Sequence, residues 1–231
     1  VALIIGNSAY TQVSKLPNAA NDAADVAKQL QAAGYKIYGH PKLNMTRQQM
    51  FDAIKAFQTA AASADTAVVW YAGHGQEFDS GGTKLSNWLI PVDFPLDGDV
   101  IEHGVPLSRL MTAVTPAKTL RVVVVDACRN SNIPSGGRGS RGFAVEERSD
   151  MLIVYSTQPG RLAEDGPKGS RNSPFAAAFL DTMNKYGKID VRQFFGGVAQ
   201  GTIARTKNLS PPQEPQKVDK INTVATLPLA P

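Results

Sequence analysis

Five short apolar runs punctuate the chain: Val1 to Ile5, Lys36 to Gly39, Ala67 to Tyr71, Leu120 to Val125 and Met151 to Tyr155. They are rich in Val, Ile and Tyr and bounded by Gly, Pro, Asn or Asp, so they read as strands, several of them buried on both faces. Apolar residues at helical spacing fill the gaps: Asn21 to Ala33 with Ala23, Val26, Ala27 and Leu30 in register, Thr46 to Ala62 with Met50, Ile54 and Phe57, and a shorter Leu107 to Val114. Thr46 and either Asn18 or Asn21 are natural N-caps. Two more helices are expected over Pro174 to Tyr186 and Asp190 to Lys207, then Pro211, Pro212 and Pro215, and a last weak strand near Thr223 to Leu227. Strands alternating with helices imply right-handed crossovers and a mainly parallel sheet covered by helices, an α/β fold. Ligands of such sheets sit at the carboxyl ends of the strands.

Composition narrows the field. Of 231 residues, 42% are hydrophobic and the balance of 24 Lys+Arg against 20 Asp+Glu is only +4, as expected of a globular chain. The basic excess is spread out, with no aromatic-interleaved Lys/Arg stripe, so nucleic acid is not an expected partner. No apolar run is long enough to span a membrane. The chain opens directly on an apolar run with no charged leader in view, and the compartment stays open between cytoplasm and periplasm. A single cysteine excludes an internal disulfide framework, and with three histidines it offers no zinc spacing; neither a metal nor another cofactor is expected.

Two strand ends carry chemistry. The third strand leads into Ala72-Gly73-His74-Gly75, where a histidine between glycines is expected on a turn with an accessible Gly75 N–H. The fourth leads into Asp126-Ala127-Cys128-Arg129-Asn130, and side-chain alternation puts Asp126 and Cys128 on one side. Each alone has a bland reading, a capping histidine and a buried thiol. Together they form the arrangement of a thiol nucleophile served by a base.

A cysteine with a histidine roughly 50 residues upstream is the caspase spacing. The chain resembles the bacterial caspase-like peptidases of the metacaspase and orthocaspase branch over nearly its whole length. The matching segments are Val1 to Tyr10, Leu16 to Asp22, Trp70 to Gly75, Ile90 to Asp93, Val125 to Asn130, Tyr155 to Gly160 and Asn172 to Phe175. The resemblance implies a three-layer sandwich whose central sheet has about six strands in the order 2-1-3-4-5-6. It also implies one peptidase domain over 1–231, with a large-subunit-like part (1–128), a flexible linker and candidate processing loop (129–149) and a small-subunit-like part (150–231).

In such a peptidase the Cys128 thiolate attacks the scissile carbonyl, His74 protonates the departing amine, and the backbone N–H groups of Gly75 and Cys128 form the oxyanion hole. The branch cleaves after Arg or Lys by means of acidic pocket residues, whose counterparts here are Asp22 and Asp126, with Ser156 on the wall. Two carboxylates favour the planar fork of Arg over Lys. Asp22 also has a structural reading, as a carboxylate at a helix N-terminus. Ala72 stands where the family has a small polar residue before Gly-His-Gly, and Ala19 replaces a pocket cysteine. Arg138, Arg141 and Arg148, in a Gly-rich stretch after the nucleophile, are candidate autocleavage sites. Calcium is not supported, because Glu102 and His103 stand where relatives carry adjacent aspartates. Partners are expected to be peptides or proteins with Arg or Lys before the cut bond, and the enzyme a monomer. Two other classes compete: a catalytically silent caspase-like signalling module, and an acyl-transferring or amidase-type cysteine enzyme that would have no call for Asp22 and Asp126.

Overall fold

The central sheet of the computed structural model runs β2-β1-β3-β6-β7-β8. Residues 1–79, 85–128 and 145–230 are described, with the main chain alone at Asp79, Leu85 and Cys128. The strands are β1 (Ala2–Gly6), β2 (Lys42–Leu43), β3 (Thr66–Asp79), β6 (Leu120–Cys128), β7 (Leu152–Tyr155) and β8 (Gln216–Asp219). All pairs along this path are parallel except β7 with β8. Renumbered along the chain, these six strands have the expected order 2-1-3-4-5-6. Two further strands, β4 (Leu85–Leu89) and β5 (Val105–Pro106), branch from the upper half of β3.

Alternation along the strands divides the core into two layers. Ile4, Val68, Trp70, Val122 and Val124 face α1 (Ala19–Ala32), α5 (Pro174–Tyr186) and α6 (Val191–Arg205), meeting Val26, Leu30, Phe175, Phe179 and Phe194. Leu3, Ile5, Val69, Tyr71, Val123 and Val125 face α2 (Arg47–Ala61) and α4 (Leu107–Val114), meeting Met50, Phe57, Leu110 and Met111. A four-residue helix, α3 (Val100–His103), precedes β5. Burial on both faces accounts for the unbroken apolar runs. Thr46 starts α2 with a reciprocal capping box to Gln49, whereas Asn18, the N-cap of α1, makes no side-chain cap bond.

Three expectations are corrected. Residues 36–39 contribute only an isolated bridge at Ile37, and the second strand lies at Lys42–Leu43. The last strand is Gln216–Asp219, immediately after the prolines, because Val224 is fully exposed while Val218 enters the core. His74 is not on a turn. It lies inside the 14-residue β3, whose lower half pairs in parallel with β1 and β6 and whose upper half, from Gly75 to Asp79, pairs antiparallel with β4.

Candidate active site

The register of β3 and β6 sets His74 directly beside Cys128 and Ala72 beside Asp126, at the carboxyl edge of the sheet. His74 is fully buried. Its Nε2 lies 2.7 Å from the Ser14 carbonyl oxygen, which can only accept, so Nε2 carries the hydrogen and a neutral ring keeps Nδ1 as its basic nitrogen. The tautomer is therefore set by a main-chain group, in the manner of the orienting third member of nucleophile–base systems. Gly75 pairs with Leu89 in the antiparallel ladder.

Asp126 belongs to the even-numbered β6 positions, so its side chain is on the layer of α1 and α5. There it accepts a 2.6 Å hydrogen bond on Oδ2 from the Ser173 hydroxyl, the N-cap side chain of α5. Its Oδ1 is buried without a hydrogen bond of good geometry, although the Ser156 hydroxyl is close enough to favour the anion. Asp22, in the first turn of α1, accepts from Asn172 Nδ2 at 3.0 Å and the Ser173 N–H at 3.1 Å. Its carboxylate thus serves the start of α5 rather than capping its own helix. Ser173 ties both aspartates together. Ser156 is buried, follows β7, and is held through its carbonyl by Gln213 Nε2 at 2.8 Å.

Burial is the first cause that pushes both carboxyls well above the usual carboxylate range, and for Asp22 the charge of Asp126 adds to it. A third carboxylate, Asp165, raises both further and is itself raised by burial. Sequence reasoning missed it, since it lies in an irregular loop with nothing in the pattern to single it out. The main-chain N–H of Asn18 donates to Asp165 Oδ2 at 3.1 Å and the Asn18 amide to its carbonyl at 2.5 Å, fastening that loop beside Asp22. No described lysine or arginine forms an ion pair with Asp22 or Asp126; Arg171 pairs with Asp25 instead. The result is a buried group of carboxyls with no ion-paired lysine or arginine on Asp22 or Asp126 among the described residues. Those residues include no group of three His, Cys, Asp or Glu placed to hold a metal ion.

These raised carboxyls predict a pH trend in the ligand-free protein. The unfolded chain releases such protons near pH 4, while the folded recess holds them to higher pH. Their contribution to stability is full below that point and declines as pH climbs through the folded-state values. Denaturant midpoints between pH 5 and 8 should fall for the wild type and fall less steeply for Asp126→Asn, which keeps the buried Asp22. An identical slope in the two proteins would mean that burial imposes no cost on ionisation of Asp126.

Of the candidate autocleavage residues, Arg148 is exposed and donates to the Thr112 hydroxyl at 2.7 Å. Arg138 and Arg141 lie outside the described residues. No helix among the described residues is long and apolar enough to cross a membrane.

Against known proteins, the caspase domain family matches residues 1–219. The chain belongs to the caspase-domain family. It is 25% identical over 203 residues to Caspase-1-B of Xenopus laevis, covering 80% of this chain and 50% of that protein. It is 26% identical over 184 residues to Metacaspase-1 of Schizosaccharomyces pombe, covering 71% and 39%. The human mucosa-associated lymphoid tissue lymphoma translocation protein 1 is 26% identical over 198 residues, covering 83% and 22%. The chain thus spans half or less of the length of these relatives. A crystal structure of a Geobacter sulfurreducens protein superposes with a TM-score of 0.67 at 16% identity, over 94% of this chain and 92% of that one, and so shares the fold. Caspase-domain homologues are cysteine peptidases that act on protein substrates, and the carboxyl edge of β3 and β6 is where this member carries His74 and its single cysteine.

Proposed function

We propose that the protein is a cysteine endopeptidase that cleaves after basic residues, arginine before lysine, with Cys128 as nucleophile and His74 as the proton-transferring base. The observation that supports the specificity is the buried pair of Asp22 and Asp126, joined through Ser173 on the face of β6 that meets α1 and α5 and without an ion-paired lysine or arginine among the described residues. A guanidinium brings the missing charge and a planar fork of donors, one of which suits the unsatisfied Oδ1 of Asp126. A neutral side chain would leave buried charge unpaired, and an aspartyl side chain would add to it. Ser156 lines the wall of this pocket, and Asp165 adds to its negative potential.

The chemistry follows from the sheet edge. His74, with its proton held on Nε2 by Ser14, accepts the thiol proton at Nδ1. The thiolate attacks the scissile carbonyl, and the imidazolium returns its proton to the departing amine. The N–H groups of Gly75 and Cys128 take the oxyanion, a contact worth about a hundredfold or more in rate. Water then hydrolyses the thioester. Residues preceding the arginine would lie along the groove lined by Thr157, Gln158, Leu162, Leu209, Pro212 and Glu214. Cleavage in the linker after Arg138, Arg141 or Arg148 remains part of the proposal; for Arg148 the Thr112 contact must first release.

An arginyl peptide bearing a cysteine-directed warhead tests this reading. Wild type should be labelled at Cys128 and Cys128→Ala should not, while the matching aspartyl warhead should react at least about a hundredfold more slowly. Equal labelling by both warheads would overturn the pocket assignment. Absence of labelling by either would favour a silent caspase-like module.

A further inference from the structure

We propose that Tyr10 is a positioning residue for His74, holding both its main chain and its ring. The proposal rests on the reading of His74 and Cys128 as a catalytic pair. A residue within a strand ordinarily donates its N–H to the neighbouring strand, and for His74 the facing carbonyl is that of Ile90, whose own N–H donates to the His74 oxygen at 3.0 Å. The return bond of that pair is not made directly. The His74 N–H donates instead to the Tyr10 hydroxyl at 2.7 Å, and that hydroxyl donates onward to the Ile90 oxygen at 3.2 Å. A side chain is thus inserted into the ladder at the residue where β3 changes from parallel to antiparallel company.

The His74 carbonyl is secured as well, by the Tyr71 hydroxyl at 2.6 Å. The ring is held by the same loop that supplies Tyr10. The phenol packs against the imidazole with centroids 4.5 Å apart and planes at 46°, and Ser14, four residues on, accepts from Nε2. One stretch of chain therefore fixes both the peptide and the ring of the base. The loop is itself fastened: Thr11 donates to the Val92 carbonyl from both its N–H and its hydroxyl, and Leu16 N–H donates to Ser8 O, each at 3.1 Å. The hydrogen bonds of Asp22 and Asp126 run to a different segment, Asn172 and Ser173. Loss of Tyr10 should accordingly act on turnover and on the protonation of the pair, leaving recognition of the arginine intact.

The test compares wild type, Tyr10→Phe, Tyr10→Leu, His74→Ala and Val13→Ala. Val13 is buried in the same loop and serves as the packing control. Three quantities are read: kcat and KM on an arginyl peptide, the pH dependence of Cys128 alkylation by iodoacetamide, and the thermal midpoint. Tyr10→Phe should lower kcat about tenfold and Tyr10→Leu about a hundredfold, within the range of a misplaced general base, with KM changed less than about threefold. The alkylation inflection should move toward that of a free thiol, near pH 8.5. Val13→Ala should lower the midpoint and leave the inflection in place. Wild-type kcat and inflection in Tyr10→Phe would overturn the proposal, as would a Val13→Ala variant that moves both as far. If Tyr10→Leu fails to fold, Tyr10→Phe decides alone. An inflection unchanged in His74→Ala would reject the underlying pair, whereas a shift there with silent Tyr10 variants would reject this inference only.

Discussion

Asp126→Asn is expected to cut cleavage of arginyl peptides by about two to three orders of magnitude, since stripping one partner from a buried ion pair costs about 3–5 kcal/mol. The loss should appear in kcat/KM for arginyl and lysyl substrates alike. Alkylation of Cys128 by a small neutral reagent should be no slower, and a fall in its pH inflection is expected, because a like charge two residues away disfavours the thiolate. The isosteric amide still accepts from the Ser173 hydroxyl, so the N-cap of α5 is retained. The free protein should gain stability at pH 8, where the wild-type recess is forced to ionise. Cleavage of the arginyl peptide within about threefold of wild type would remove Asp126 from substrate recognition, whatever the alkylation result.

The second large effect is expected at Gly73. A Cβ built there would lie 2.5 Å from the Tyr71 hydroxyl and 2.8 Å from that of Tyr10, both buried and both hydrogen-bonded to the His74 peptide. Neither phenol can withdraw without giving up a buried bond. Gly73→Ala should therefore cost about 2–3 kcal/mol by overpacking and lower activity at least tenfold through displacement of the base. Tyr71→Phe removes the oxygen in closest conflict, so the double variant should be less destabilised than the sum of the two single changes. Denaturant midpoints around this four-member cycle measure the coupling, and strict additivity would show that the clash is relieved elsewhere. The glycine before the histidine is thus required for the space it leaves to two tyrosine hydroxyls, whereas the sequence suggests a turn.

Strands with no polar interruption were legible because burial on both faces leaves only apolar residues, as in Val122 to Val125. The outer strands were not. In β8 only Val218 is buried, so Gln216–Asp219 reads as loop, and the more apolar Thr223 to Leu227 attracts the assignment while exposing Val224. The β4 and β5 pair is short and has no strand-like alternation long enough to register. The pairing of Asp22 with Asp126 was legible only through family resemblance, because residues 104 positions apart carry no joint signal in a single chain. Asp165, Ser173, Tyr10 and Ser14 were missed for a related reason. Asp165 acts from a loop through its charge, the others from a loop or cap through a main-chain group or hydroxyl, and such roles leave no periodicity to read.

If the proposed peptidase reading holds, the shared register of β3 and β6 also makes catalysis a sensor of correct assembly. Parallel pairing of two strands with apolar centres tolerates translation poorly because successive side chains belong to opposite layers; a shift of β6 by one position would send Asp126 toward α2 and α4 and part His74 from its neighbour on β6. On the proposed reading, a chain caught in such an arrangement would be compact yet unable to cut other proteins, so destructive capacity would arise only with the native alignment.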